Sequence, residues 1–157
     1  MSESRAEAYR RALGEIRAVT EGVDDWIANL ANAAAILYER LPFSWIGFYR
    51  VRGDEMILGP FQGKSACVRI ARGRGVCGAA WAEDRTQVVP DVHAFPGHIA
   101  CDEASRSEVV VPLHFPDGSV WGVFDVDSRE PDDFSADDVA ALDEIARLVE
   151  TLLARTG

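Results

Sequence analysis

Three cysteines and three acids carry the chemistry this sequence offers. Cys67 and Cys77 stand in GPFQGKSACVRIARGRGVCGAAWAEDRTQ, residues 59–87, and Cys101 in GHIACDEASRSE, residues 97–108. A thiolate is a nucleophile, a metal ligand and a two-electron reductant. Zinc fits this spacing poorly, because there is no CxxC and the cysteines lie ten and thirty-four residues apart. An odd count does not suit a secreted disulfide framework. In a reducing compartment a standing disulfide is unusual, and a transient one is catalytic or redox-sensing. The bland alternative is that all three are small buried hydrophobes.

The acids stand at the last predicted hairpin. Along VWGVFDVDS side chains alternate, so Asp125 and Asp127 share a face with Trp121 and Val123. Glu108 opens the opposite strand, EVVVPLHF. With an even turn, Asp117-Gly118 or Pro116 to Ser119, positions summing to 235 pair and Glu108 faces Asp127. With a three-residue turn, Pro116-Asp117-Gly118, Glu108 moves to the other face unless a bulge near Pro112 restores it. The even turn is favoured. Like charges opposite one another on a sheet are destabilising. Such a cluster asks for a cation, a shared proton or water. A bound ammonium supplies the first, and a raised carboxyl pKa supplies a general acid near neutral pH. A wet sheet edge without a role is the plain alternative.

Gly73, Gly75 and Gly78 in ARGRGVCGAAW let backbone approach a ligand, and amides opening a helix favour an anion. By itself that is a weak signal. Trp45 and Tyr49, four apart on one strand, share a face that is either core or the wall of a pocket. Cys101 lies in a loop of small residues and is expected to be reachable. Asp102 and Glu103 beside it raise its thiol pKa, and His98 opposes that.

The elements that must position these groups follow from periodicity. AEAYRRALGEIRAV places Leu13, Ile16 and Val19 at helical spacing. Asp24 or Asp25 caps a second helix with Trp26 or Ile27, Leu30, Ala34, Leu37 and Leu41 on its stripe, and Pro42 ends it. FSWIGFYRV, EMILG, SACVRIA and TQVVPDV read as strands, with Ala66, Val68 and Ile70 on one face of the third. RGRGVCGAAWAED reads as a glycine-rich turn into a short helix. FSADDVAALDEIARLVETLLA is an amphipathic helix capped by Ser135, with Asp137 and Asp138 at its positive end. The order predicts an α+β fold over residues 1–157, one domain, with terminal helices on one face of an antiparallel sheet and a ligand under loops on the other.

The chain carries a net charge of −10. Residues 1–100 hold twelve acids and twelve bases, and residues 101–157 fourteen acids and four bases. Nucleic acid is therefore not an expected partner. No apolar run is long enough to span a bilayer and the N-terminus has no signal-type core, so no membrane association is expected and the cytoplasm is the expected address.

Together WIGFY, GPFQGKSACVRIARGRGVCGAAW, VPDVHAFPGHIACDEASRSEVVVPL and GVFDVDS give a chain that closely resembles the free methionine-(R)-sulfoxide reductases, enzymes built on one GAF domain. The resemblance implies about six antiparallel strands with helices on one side. It implies that Cys101 attacks the sulfoxide, that Cys67 is the main resolving cysteine and that Cys77 is a second. Glu108, Asp125 and Asp127 then match the acids that hold the substrate and assist proton transfer, and Trp45 and Tyr49 the wall around its thioether end. A thioredoxin-type dithiol is the implied reductant, no cofactor or metal is called for, and a homodimer is allowed. The rival expectations are a GAF sensor of a small metabolite and a thiol redox sensor without turnover.

Overall fold

The computed structural model describes residues 3–98 and 104–155. The elements run α1 (Arg5–Thr20), α2 (Trp26–Arg40), β1 (Trp45–Arg52), β2 (Glu55–Gln62), β3 (Arg69–Ala71), α3 (Gly75–Glu83), β4 (Gln87–Val89), a 3-10 turn (Val92–Ala94), β5 (Ser107–His114), β6 (Val120–Ser128) and α4 (Ala136–Ala154). Six strands form one sheet in the order β3-β2-β1-β6-β5-β4, and every neighbouring pair is antiparallel. Among the described residues no helix is long and apolar enough to cross a membrane.

Local signals explain where the helices begin. Asp25 accepts from the Ala28 amide and starts α2. Ser135 and Asp138 form a reciprocal capping box at the head of α4. Asp138 does more than cap. It accepts from the Tyr9 hydroxyl at 2.8 Å and pairs with Arg5 at 3.2 Å, which locks α1 onto α4. Two helical stripes differ from their predicted membership. Val19 and Ile27 are exposed, while Tyr9, Ala12 and Thr20 are buried in α1. Neighbouring helices, not the helical period alone, choose the edge of a stripe.

The main core lies between the sheet and α1, α2 and α4. Ile46, Phe48, Val109, Val111, Phe124 and Val126 point to it from β1, β5 and β6. The alternate residues Trp45, Tyr49, Val110 and Val123 point to the opposite face, under α3 and the loops. The sheet thus has a dry structural side and a second side where the strands' acids emerge.

Two expectations are corrected. SACVRIA forms a strand only at Arg69–Ala71, and Cys67 lies on the loop before it. That loop is held by side chains rather than by a ladder: Trp45 Nε1 donates to the Lys64 carbonyl at 3.0 Å and the Tyr49 hydroxyl to the Cys67 carbonyl at 2.9 Å. Gly63 lets it lie flat, with φ at 130° and room for no side chain, since a Cβ would fall 2.6 Å from the Trp45 ring.

The second correction concerns the β5–β6 hairpin. The Phe115 amide bonds the Ser119 carbonyl, so the turn is the three-residue Pro116-Asp117-Gly118, with Gly118 at positive φ. His114 pairs with Val120 but Leu113 with Gly122, which leaves Trp121 as an extra, bulged residue. The bulge restores the 235 register beyond it. It also turns Trp121 to the helix face, where it meets Trp26 edge-on at 5.5 Å, and so Trp121 does not share a face with Asp125.

Because Asp138 serves both a cap and two side chains from α1, its loss should exceed an ordinary cap loss. Ser135→Ala is expected to cost about 1 kcal/mol. Asp138→Ala strands a buried tyrosine hydroxyl as well and is expected to cost about 2–3 kcal/mol. Urea unfolding of the two variants checks the order.

Candidate functional site

The pocket opens on the sheet face away from α1, α2 and α4, and every acid predicted for it is there. Glu108, Asp125 and Asp127 all line it. Glu108 pairs with Asp127 across β5–β6, and Asp125 stands opposite Val110. Glu108 and Asp125 are 7% and 5% exposed, so two carboxyl groups sit side by side almost out of water. Burial first, then the neighbouring acid, pushes both well above the usual carboxyl range. Glu108 and Asp125 therefore hold their protons to higher pH than freely solvated carboxyl groups do. Among the described residues, Asp125 Oδ1 is buried and has no hydrogen-bond partner. An acceptor left in that state is costly until a donor arrives.

Cys77 joins the cluster from α3. Its Sγ lies 4.0 Å from Glu108 Oε2. Burial, then the charges of Asp125 and Glu108, raise its pKa well above the usual thiol value, which keeps it a thiol. Donor atoms of Cys77, Glu108 and Asp125 all lie within 4.8 Å of one another, a set that attracts a cation.

The sheet face beside the acids is aromatic, with Trp45 paired to Asp127 across β1–β6. Trp45 and Tyr49 stack at 6.1 Å, and Phe61 stacks on Trp45 at 5.2 Å. Both predicted aromatics are buried, and they serve as pocket wall and as struts for the Cys67 loop at once. Burial and the charge of Asp125 raise the Tyr49 phenol, so it acts as a neutral donor. Phe61 was not anticipated. Its signal was the β1–β2 hairpin, which pairs it with Gly47 beside Trp45.

The third wall is the head of α3. Gly75 and Val76 line the pocket, and no side chain caps this helix at Arg74. The first-turn amides of a helix have no acceptor within it and carry partial positive charge. Gly78 packs the helix onto β3, for a Cβ there would lie 2.7 Å from the Ala71 carbonyl. Arg74 and Ser105 line the pocket too and were not singled out by the sequence. Acids, aromatic rings and the head of a helix lining one pocket suit a small zwitterion with an apolar middle.

Of the predicted thiols, Cys67 is disulfide-bonded and half-buried, and Cys77 is free. Cys101, with Asp102 and Glu103, lies outside the described residues. His98, expected to offset the acids near Cys101, lines the pocket, but burial and His93 lower its pKa and so reduce the positive charge it supplies.

The chain is similar to known proteins over nearly all of its length. The model of the GAF domain matches residues 20–154. The chain is 45% identical over 154 residues to the free methionine-R-sulfoxide reductase of Escherichia coli (strain K12), covering 98% of this chain and 93% of that protein. It is 38% identical over 154 residues to the enzyme of the same name from Saccharomyces cerevisiae, covering 93% and 86%. The X-ray structure of free methionine-R-sulfoxide reductase from Neisseria meningitidis in complex with its substrate matches with a TM-score of 0.94 and 47% identity, covering 99% of this chain and 94% of that one.

The raised carboxyl pKa values set a direction for stability. The folded chain binds more protons than the unfolded chain, so stability is greatest near the unfolded carboxyl pKa values and falls as pH rises through the folded ones. Without substrate, resistance to urea is expected to decline as pH rises above the ordinary carboxyl range of about 4. Asp125→Asn should flatten that decline and be at least as stable as the parent at the upper end. A steeper decline in the variant would show that the acids stabilise the fold instead of straining it.

Proposed function

The chain belongs to the GAF-domain family, among the free methionine-R-sulfoxide reductases, and from that membership we propose that this oxidoreductase reduces free methionine-(R)-sulfoxide to methionine by thiol chemistry. The observation that carries the reading is the buried, proton-rich acid pair with an orphaned acceptor, set against aromatic rings in one pocket.

In this reading Asp125 and Asp127 receive the substrate's ammonium, and the vacant acceptor on Asp125 is filled. The α3 head receives its carboxylate. Trp45 and Tyr49 hold the thioether end. Both charged ends of the amino acid are thereby engaged, which excludes methionine sulfoxide inside a peptide. Cys101 attacks the sulfoxide sulfur while Glu108, protonated through burial, gives its proton to the oxygen. Methionine leaves and Cys101 carries the oxygen as a sulfenic acid. A thiol of Cys67 condenses with it, releasing water and forming a disulfide. That Cys67 is disulfide-bonded and partly exposed supports this role. Cys77 is assigned the slower second role, because burial holds its thiol protonated and a resolving nucleophile must ionise. A thioredoxin-type dithiol then restores both thiols.

Single-turnover and steady-state assays with the free R-sulfoxide test the assignment. Cys101→Ser is expected to abolish even one turnover. Cys67→Ser should complete one turnover and then recycle poorly. Glu108→Gln should lower the chemical step by about 100-fold or more while changing substrate affinity less. Binding of the sulfoxide with no reduction under any dithiol would make the protein a metabolite sensor.

A further inference from the structure

We propose that the face around Cys67 is a docking surface for an acidic dithiol protein, which reduces the enzyme's disulfide by attacking Cys67. The proposal rests on the recycling step of the function given above. Its first support is charge. Although the chain carries −10, between Glu55 and Glu83 it holds Lys64, Arg69, Arg72 and Arg74 and no acid. All four are exposed. Arg69 pairs with Glu55, whereas Lys64, Arg72 and Arg74 make no ion pair among the described residues. Arg72 leans over the Trp81 ring. A cationic collar on an anionic protein steers an anionic partner to one place.

The second support is an exposed apolar side chain within the same basic stretch. Val68, next to Cys67, is 57% exposed, the most exposed large hydrophobic side chain among the described residues. An apolar knob ringed by charge is the usual composition of a protein-binding patch. The third support is rigidity. The loop is tied from beneath at Lys64 and Cys67 by Trp45 and Tyr49, and the Leu58 amide bonds the Val68 carbonyl at 2.9 Å. Just beyond it, β3 is the edge of the sheet, with one side of its ladder unpaired. Cys67, half-buried, thus sits on a tied-down segment beside an open sheet edge, and the partner orders little on binding.

The chemistry balances as thiol–disulfide exchange. A partner thiolate attacks Cys67 Sγ, the existing sulfur–sulfur bond breaks, and the other sulfur leaves as a thiolate that takes a proton. The partner's second thiol attacks the mixed disulfide and frees Cys67. Two electrons pass to the enzyme, and the partner leaves as a disulfide.

The test compares a thioredoxin of net negative charge with dithiothreitol, which needs no docking surface. With thioredoxin, Lys64→Glu/Arg69→Glu is expected to raise the KM for the reductant by roughly tenfold or more, and Val68→Ser to raise it further in combination. Dithiothreitol-driven turnover and the KM for the sulfoxide should change less than about twofold, which also shows that the variants fold. Raising ionic strength from about 0.02 to about 0.3 M should weaken the thioredoxin reaction of the parent and leave that of the charge-reversed variant nearly flat. A thioredoxin whose second cysteine is serine should be trapped on Cys67, as read by mass mapping of the alkylated adduct. An unchanged KM for thioredoxin in the variants, or trapping on a cysteine other than Cys67, overturns the proposal. Absence of turnover with dithiothreitol in the parent overturns the functional reading beneath it.

Discussion

The site depends on one constraint, the pairing of Glu108 with Asp127 on the concealed face of the β5–β6 hairpin. One hydrogen bond and one bulge decide it. The Phe115–Ser119 bond closes a three-residue turn, and the bulge at Trp121 cancels the one-residue slip that such a turn imposes. Side chains alternate with a period of two, so an uncancelled slip sends Glu108 to the helix core and brings Val109 to the pocket. The same bulge moves Trp121 onto Trp26, where its ring covers the edge of the core. A single extra residue therefore settles both the acid cluster and a packing contact on the opposite side.

Burying two neighbouring carboxyl groups costs free energy, and the fold meets that cost away from the site. On the helix side, Phe48, Phe124, Leu30, Leu37, Leu142 and Ile145 are sealed from water, each contributing about 1.5–3 kcal/mol. The Arg5–Asp138–Tyr9 lock adds polar fixation between the terminal helices. The sheet is then stiff enough to hold the acids close while their charge is unmatched. That division suits an enzyme in which a substrate's ammonium relieves strain already present in the empty pocket.

The aromatic residues join the two halves of the proposed chemistry. Trp45 and Tyr49 face the pocket with their rings and grip the Cys67 loop with their polar tips. Each is a large apolar surface with one donor, and each donor finds a backbone carbonyl. The loop thereby needs no ladder to stay in place, which explains why Cys67 sits on irregular chain and is still well positioned. It also explains the failure of the alternating pattern there. Ala66, Val68 and Ile70 read as one strand face, but Val68 turns to solvent while Ile70 enters the core and Ala66 packs against it.

Much of the fold was legible in local sequence. Asp25 and Ser135 announce helix starts because a cap acts within one turn, and Asp125 and Asp127 share a face because alternation is a property of any strand. The residue types of the site, its acids, thiols and rings, were likewise readable, since burying such groups needs a reason. The sequence did not determine which turn closes the last hairpin, that Trp121 bulges, that the α3 head completes the pocket while Phe61 backs Trp45, or that Val19 and Ile27 face outward. Those depend on partners far away along the chain. Periodicity assigns a side chain to a face, but only packing against other elements decides what lies across from it. That is why the acids could be named from sequence, whereas their burial, their raised pKa values and the buried Asp125 oxygen without a partner among the described residues belong to the tertiary structure.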